Sequence, residues 1–256
     1  MSNYAPASMA KSNCLLIFGL GDMLIAGCKT DIKTPNALHF VQSKALVDNI
    51  NQLITADVSH IHAFDIIANL SWDFRLVKAV FIEVDIPDNI NDSLELVKYI
   101  RQTNQTACIF ILVTHSKSFT SINYYLAGVD HCIKLPADPQ EKLTLLSRTI
   151  EDSHWKTSTQ LTFDRTRLLL YSPTRKLEIS YTEMIIIDAF IQAPQHVLSQ
   201  DSIAKTLDPN IVFYDPRALE KTISRLRTKI KKAYKLELIF SVRAFGYRLR
   251  RGTITG

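Results

Sequence analysis

Hydrophobic and polar positions alternate in a regular order between residues 37 and 152. Short apolar runs are followed by segments whose apolar residues recur at helical spacing. The apolar runs predict strands at 37–41, 58–64, 79–84, 108–114 and 130–136, and the helical segments lie at 43–54, 65–77, 93–103, 121–128 and 138–151. Strands that alternate with helices in this way predict a parallel sheet covered on both faces, an α/β doubly wound domain at 37–152.

A different pattern begins near Trp155. Short stretches with strand character lie at 155–164, 167–172 and 176–180, three helical segments follow at 179–193, 199–207 and 215–235, and an apolar stretch with a turn ends the pattern at 238–250. The first helix opens with a Ser180-x-x-Glu183 capping box, and the third opens with Asp215 and Pro216. A sheet, three helices and a final hairpin predict an α+β winged helix-turn-helix domain at 157–251.

Residues 1–36 precede both patterns and are predicted to form an N-terminal extension. Within it, 14–28 has two short apolar runs around a Gly-Asp turn, which predicts a β-hairpin. Cys14 and Cys28 would lie near each other across this hairpin, where a redox-active disulfide and two buried thiols are both compatible with the sequence. The same run is too short, and too interrupted by Asp22, to span a bilayer or to act as a signal peptide, so we expect a cytoplasmic protein that has no membrane partner.

The formal net charge of +5 conceals an uneven distribution. Residues 1–152 carry 12 Lys and Arg against 16 Asp and Glu, a net charge of −4, whereas residues 153–256 carry 18 against 9, a net charge of +9. A difference in net charge of this size marks a domain boundary. It also assigns any polyanionic partner to the C-terminal part.

The helix predicted over 216–235 divides into an apolar face and a basic face. Its apolar residues recur at spacings of four, three and four, and the predicted buried stripe consists of Leu219, Ile223, Leu226 and Ile230. The opposite side carries Arg217, Lys221, Ser224, Arg225, Thr228 and Lys232. Glu220 is the only acid in the segment, so this face lacks the mixed charges of an ordinary solvated helix. A helix face that carries only positive charge favours binding to a polyanion such as duplex DNA, whose major groove admits a helix.

Four segments of the C-terminal part resemble the effector domain of OmpR/PhoB-type response regulators, in the order and spacing of that family: ISYTEMIIIDAF, HVLSQDSIAKTL, RALEKTISRLRTKI and IFSVRAFGYRL. The resemblance implies sequence-specific binding to double-stranded promoter DNA. It implies that Lys221 and Arg225 face bases, that Arg217, Thr222, Ser224 and Arg227 hold phosphates or frame the groove, and that Arg243 enters the minor groove from the wing. Thr222 and Ser224 differ from the residues common in the family at these positions. The resemblance therefore implies DNA binding but does not define the DNA sequence that is recognised.

Residues 37–152 resemble the receiver domain of the same family through AVFIEVDIPD, FILVTHS, LAGVDHCIKLP and DPQEKL. An active receiver needs an acceptor Asp, an acidic pair that binds Mg²⁺, a Thr or Ser and a Lys. The corresponding positions of this chain are Glu83 for the acceptor, Gln42 and Ser43 for the acidic pair, Thr114, and the neighbourhood of Lys134. The predicted pocket is therefore degenerate.

Two of these assignments depend on register. If the first strand is ALHFV, the acidic pair is Gln42-Ser43, and if the first strand is CLLIF, it is Gly19-Leu20, so neither register supplies a carboxylate. Counting from Gly128 puts the lysine position on Leu135, with Lys134 one residue early, and a shift of one residue on a strand reverses the direction of the side chain.

Without Mg²⁺ to neutralise the developing charge, phosphoryl transfer loses its main electrostatic assistance. We therefore expect that this domain is not phosphorylated on an aspartate in the usual way. Two interpretations of Glu83 remain open: a fixed negative charge that resembles the activated form, and an acid that is merely tolerated at the end of a strand. No metal-ligand spacing, nucleophile elbow or phosphate-binding glycine loop is present, so we expect no metal, no other cofactor and no enzymatic activity.

The resemblance further implies that two receiver-like domains pair through one face. We name this the pairing face and define it as Ile122–Ala127 and Leu143–Arg148. The expected function is a transcriptional regulator that binds DNA as a homodimer, independently of aspartate phosphorylation. Two alternatives stay open at this point: a phosphorylation switch that uses Asp85 or another residue, and an interaction module that contacts RNA polymerase or another regulator.

Overall fold

The computed structural model describes residues 37–41, 43–54, 58–61, 74–85, 90–115, 119–156 and 159–255. The predicted hairpin at 14–28, with Cys14 and Cys28, lies outside the described residues, and so does most of the helix predicted at 65–77. The described part contains one sheet before residue 135 and two sheets after residue 160.

A parallel sheet forms the centre of the first region. Its strands are β1 (Ala37–Phe40), β2 (Val58–Ile61), β3 (Ala79–Asp85), β4 (Cys108–His115) and β5 (His131–Lys134), in the order β2-β1-β3-β4-β5. All of its strand pairs are parallel, and Phe40 of β1 lies opposite Ile82 of β3. The carboxyl ends of β1 and β3 therefore meet at one edge of the sheet. The first strand among the described residues is the ALHF segment, and Gln42 and Ser43 follow it in the sequence.

Helices cover both faces of this sheet. The helices are α1 (Lys44–Leu53), α2 (Ile90–Thr103), α3 (Ile122–Ala127) and α4 (Pro139–Glu151). Buried residues of α1 and α4 pack with Phe81 and Phe110 on one face, and those of α2 and α3 pack on the other. Asp138 caps α4, and its side chain accepts a hydrogen bond from the Glu141 backbone N–H at 2.8 Å.

The second region begins with antiparallel strands β6 (Leu161–Asp164), β7 (Leu169–Ser172) and β8 (Arg175–Glu178), to which β12 (Ile254–Thr255) adds a parallel edge. Helices α5 (Tyr181–Gln192), α6 (Gln200–Leu207) and α7 (Pro216–Tyr234) follow. The wing sheet consists of β9 (Val197–Ser199), β10 (Ile239–Val242) and β11 (Gly246–Leu249), in the order β10-β11-β9. The capping box at Ser180 and Glu183 is present at the start of α5, as predicted.

The structure confirms the predicted fold class, a doubly wound α/β region followed by an α+β winged helix-turn-helix region. Two short strands, β9 and β12, were not predicted, because two or three residues are too few to show a strand period. Among the described residues, no helix combines the length and the apolar character needed to cross a membrane.

Candidate nucleic-acid interface

The basic helix α7 is fixed at both ends and along one face. The Asp215 side chain accepts a hydrogen bond from the Arg217 backbone N–H at 2.9 Å, and Pro216 occupies the first turn. At the other end Lys235 adopts a left-handed conformation with φ 56°. The buried residues of the helix are Leu219, Ile223, Leu226 and Ile230, which is the stripe that the spacing predicts. The opposite, basic face is consequently turned outward.

The outward face of α7 lies beside the wing. Arg217, Lys221, Ser224 and Arg225 are exposed, and they line a groove of about 550 Å³ together with Ser241 and Tyr247 of the two wing strands. Arg243 is exposed in the turn that joins those strands. The structure therefore brings the predicted base-contacting residues next to the wing, with cationic side chains directed to solvent from both elements.

Two predicted contact residues are partly engaged within the protein. The Arg227 Nε–H donates to the Ile239 carbonyl at 2.6 Å, and its guanidinium lies 5.7 Å from the centre of the Tyr247 ring. The Thr222 hydroxyl donates to the Ala218 carbonyl at 2.9 Å. Arg227 thus joins α7 to the wing and also lines the groove, which fits a residue that frames the groove.

The position of the wing depends on a glycine. A Cβ atom on Gly246 would lie 2.2 Å from the Leu198 carbonyl oxygen and 2.8 Å from the Ser199 Cα, both backbone atoms of β9. Such distances exclude any side chain, so β11 can approach β9 closely only because residue 246 is glycine. This approach fixes the hairpin that carries Arg243.

At the edge of the parallel sheet, Glu83 lies near the end of β3 and is buried. Its Oε2 accepts a hydrogen bond from the Ser43 backbone N–H at 2.9 Å, directly before α1. Ser43 caps this helix with its backbone conformation only, because its side chain makes no capping hydrogen bond. The structure thus brings Glu83 and Ser43 together, whereas Gln42 lies outside the described residues.

The remaining pocket positions are arranged differently. The Thr114 Oγ1 is buried and has no hydrogen-bond partner among the described residues. Lys134 is exposed, whereas Leu135 is buried against the core that includes Leu146 and Ile150. The buried position is therefore occupied by an apolar residue, and the neighbouring lysine side chain is directed to solvent.

The comparison with known proteins also indicates a DNA-binding regulator. Residues 174–249 match the family described as "Transcriptional regulatory protein, C terminal". The chain is 28% identical over 198 residues to "Response regulator MprA" of Mycobacterium sp. (strain KMS), covering 74% of this chain and 83% of that protein. It is 26% identical over 180 residues to "Transcriptional regulatory protein GltR" of Pseudomonas aeruginosa, covering 66% of this chain and 74% of that protein. Residues 174–249 form an OmpR/PhoB-type DNA-binding domain, and the chain is homologous to the response regulators MprA and GltR.

Similar solved structures include the C-terminal domain of the nisin resistance regulator NsrR, which is 32% identical and covers 36% of this chain and 93% of that domain, with a TM-score of 0.31. The response regulator DrrB of Thermotoga maritima, described as an OmpR/PhoB homologue, is 17% identical and covers 83% of this chain and 97% of its own, with a TM-score of 0.35. The sequence matches, and not these structures, identify the chain as a DNA-binding transcriptional regulator of the OmpR/PhoB type.

Three arginines near the end of the regulator were not assigned from the sequence. Arg248, Arg250 and Arg251 are buried, although they follow the wing turn that carries the exposed Arg243. They lie between the effector domain and the receiver-like domain. The sequence does not reveal this contact, because a strand pattern cannot show which neighbouring domain a side chain contacts.

One of these arginines takes part in a charge cluster that we call the Asp130 cluster (Arg101, Asp130 and Arg251). Arg101 Nη2 lies 2.6 Å from Asp130 Oδ2, and Arg251 Nε lies 3.3 Å from Asp130 Oδ1. All three residues are buried. Burial raises the pKa of Asp130, but the charges of Arg101, His154 and Arg251 outweigh this effect and hold the pKa well below its usual range. Asp130 is therefore ionised and joins the two domains.

Cys108 and His154 lie close enough to Asp130 for the three side chains to form a candidate metal site. Both oxygens of the Asp130 carboxylate are already engaged by guanidinium groups, which repel a cation. Burial raises the pKa of the Cys108 thiol well above its usual value, so the thiolate that a metal requires is disfavoured. The arrangement serves an ionic contact between domains rather than metal binding.

Proposed function

We propose that this regulator binds specific promoter sequences as a homodimer and does so without phosphorylation of an aspartate. The observation that carries the DNA-binding part is the outward basic face of α7, with Lys221 and Arg225, beside a wing that presents Arg243. A helix with this face fits the major groove, where Arg and Lys distinguish guanine edges, while an arginine on a wing suits the more negative minor groove. Arg217 and Ser224 flank the base-facing positions and suit contacts to phosphates.

The degenerate pocket supports independence from phosphorylation. The acceptor position carries Glu83, and its carboxylate accepts a hydrogen bond from the backbone at the start of α1. The count from Gly128 assigns the lysine position to Leu135, which is buried, and the neighbouring Lys134 is exposed to solvent. A carboxylate near the first backbone N–H groups of a helix is favourable in itself. These contacts favour the interpretation of Glu83 as an acid that anchors α1.

The alternative interpretation of Glu83, a substitute for a phosphoryl group, has less support. In that case we would expect Thr114 to be drawn toward the acid, as it would be toward a phosphoryl oxygen. The Thr114 hydroxyl instead has no hydrogen-bond partner among the described residues. Within this proposal, Glu83 contributes to the stability of the domain, and pairing of two chains does not depend on its charge.

Exposure to a small phosphoryl donor tests the phosphorylation-independent part of the proposal. After incubation with acetyl phosphate and Mg²⁺, we expect the intact mass to stay unchanged, because no carboxylate pair is present to bind the metal. A receiver with a complete acidic pair, treated in parallel, serves as the positive control. A stoichiometric adduct of one phosphoryl group would contradict the proposal and direct attention to Asp85 as the acceptor.

A contact with RNA polymerase or another protein is a second candidate function, which one observation favours. The loop between α6 and α7 exposes Val212 by 81% and Phe213 by 91%, the largest exposed fractions among large hydrophobic residues in the described part. Exposed aromatic residues are often the anchors of protein interfaces. We expect the double substitution Val212→Ser and Phe213→Ser to weaken binding to purified polymerase by roughly tenfold or more, measured by biolayer interferometry. Unchanged binding would exclude this loop as the contact.

A further inference from the structure

A cavity of about 460 Å³ lies between the receiver-like domain and the effector domain, and it shares no lining residue with the groove beside the wing. The receiver-like domain contributes Arg148 and Thr149 of α4. The effector domain contributes Lys231 of α7, Lys235 at the end of that helix, and Arg250 directly after β11. Small-molecule sites usually have volumes of about 300–1,000 Å³, so this cavity has room for a ligand of nucleotide size.

Positive charge exceeds negative charge in this cavity. Lys231 Nζ lies 3.3 Å from Glu237 Oε1, and Arg148 Nε lies 3.8 Å from Asp152 Oδ2. All four of these side chains are more than half exposed, so both ion pairs are weak and screened by water. The charged lining residues are Arg148, Lys231, Lys235 and Arg250 against Asp152 and Glu237, which leaves two positive charges unbalanced.

Arg250 is the most buried cation of the cavity. It is 7% exposed, and its Nη2 is buried and has no hydrogen-bond partner in the described part of the chain. Its backbone N–H donates to the Leu238 carbonyl at 2.7 Å, which fixes the position of the residue. Burial lowers the pKa of Arg250, but an arginine side chain still carries its charge at neutral pH. A buried cationic donor without an acceptor raises the free energy of the folded chain, and an anionic ligand would remove this cost.

The rest of the lining is uncharged and partly apolar. Burial and the charge of Arg248 lower the pKa of His131 to about 3, so its imidazole is neutral at physiological pH. Leu145, which is 36% exposed, and the half-buried Phe240 also line the cavity. An inorganic phosphate ion would fill only a small part of this volume. The lining therefore fits a ligand with an anionic end for the cations and an organic part for Leu145 and Phe240.

We propose that this cavity binds a small phosphate monoester, held by Arg250 and Lys235 of the effector domain and by Arg148 of the receiver-like domain. The two unbalanced positive charges match the charge of about −1.5 to −2 that a phosphate monoester carries at pH 7. Its oxygens are acceptors for the buried guanidinium, and arginine binds phosphate through paired hydrogen bonds. A ligand of this kind touches both domains, so its binding stabilises the arrangement in which they lie together.

Isothermal titration calorimetry of the full chain tests this site with AMP, ribose 5-phosphate and glycerol 3-phosphate, each compared with its dephosphorylated parent. We expect at least one of the three to bind with one molecule per chain, roughly tenfold or more tightly than its parent, because only the ester carries the phosphate. The same ester should bind more tightly than inorganic phosphate, which leaves Leu145 and Phe240 uncovered. Binding by none of the three, or equal affinity for ester and parent, would overturn the proposal, and equal affinity for ester and inorganic phosphate would overturn its monoester part.

Substitutions in the lining locate the site. Arg250→Gln should weaken binding of the ester roughly tenfold or more, and Arg148→Gln, at an exposed position of the other domain, roughly two- to fivefold. Arg167→Gln is the matched control, because this arginine is 77% exposed and does not line the cavity, and it should bind the ester as the wild-type chain does. Should Arg250→Gln fold poorly, Lys235→Gln carries the test at an exposed position. Unchanged affinity in the folded variant would show that the ester binds elsewhere.

Binding to a short random duplex separates this site from the DNA interface. We expect Arg250→Gln and the wild-type chain to bind the duplex equally, since Arg250 does not line the groove beside the wing. A loss of duplex affinity in this variant, with no effect of the ester on either chain, would mean that these cations contact the DNA backbone and that the small-molecule site is wrong. The proposed DNA-binding function would stand in that case, because it depends on Lys221, Arg225 and Arg243.

Discussion

Replacing Arg225 with alanine should lower the affinity for the regulator's preferred DNA sequence by about 1–3 kcal/mol, which is about 5- to 150-fold, and should relax the preference at one base pair. The physical reason is that an exposed arginine on the outward face of α7 can form two hydrogen bonds with one guanine edge. The measurement is fluorescence anisotropy at fixed salt concentration on a sequence enriched by in vitro selection, with single-base variants of that sequence as the panel.

Arg217→Ala is the matched control for this measurement. Arg217 lies in the first turn of α7 and is exposed, and we assign it to a phosphate. Its loss should weaken binding by a similar factor on every sequence of the panel and should reduce the slope of log affinity against log salt by about one. If Arg225→Ala gives the same uniform loss, Arg225 contacts a phosphate and the assignment of base contacts to α7 at this position is wrong.

Replacing Arg101 with methionine should lower the free energy of unfolding of the receiver-like domain by about 3–5 kcal/mol. Arg101 is 2% exposed, and it donates to Asp130 at 2.6 Å and to the Gly128 and Ala107 carbonyls, each at 2.7 Å. Methionine fills a similar volume but leaves those buried acceptors without their donor and deprives the Asp130 carboxylate of its shortest ionic contact. Removal of one member of a buried ion pair is far more destabilising than the loss of a surface pair.

Urea unfolding followed by tryptophan fluorescence suits this test, because both tryptophans of the chain, Trp72 and Trp155, precede the effector domain. The matched control is Lys98→Met on the same helix, whose side chain is 54% exposed and pairs with Glu95 at the surface. That change should alter the free energy of unfolding by no more than about 0.5 kcal/mol. Equal unfolding midpoints for the two variants would show that the contacts of Arg101 contribute nothing measurable to stability.

The sequence determined the architecture of both regions. The period of four, three and four at Leu219, Ile223, Leu226 and Ile230 defines the buried side of α7 without knowledge of its neighbours, because a helix has one core-facing stripe. The capping box of Ser180 and Glu183 likewise predicts the start of α5, because its hydrogen bonds join residues only three positions apart. The family resemblance of the C-terminal part also depended on segments near one another in the chain.

Contacts between distant parts of the chain were decided only by the tertiary structure. Arg243, Arg248 and Arg251 are close together in the sequence, yet the structure buries Arg248 and Arg251 against the receiver-like domain and leaves Arg243 exposed. Asp130 and Arg251 are 121 residues apart, and no local period or spacing relates them. Where a charged side chain finds its partner depends on how two domains dock, and docking is a property of whole surfaces rather than of neighbouring residues.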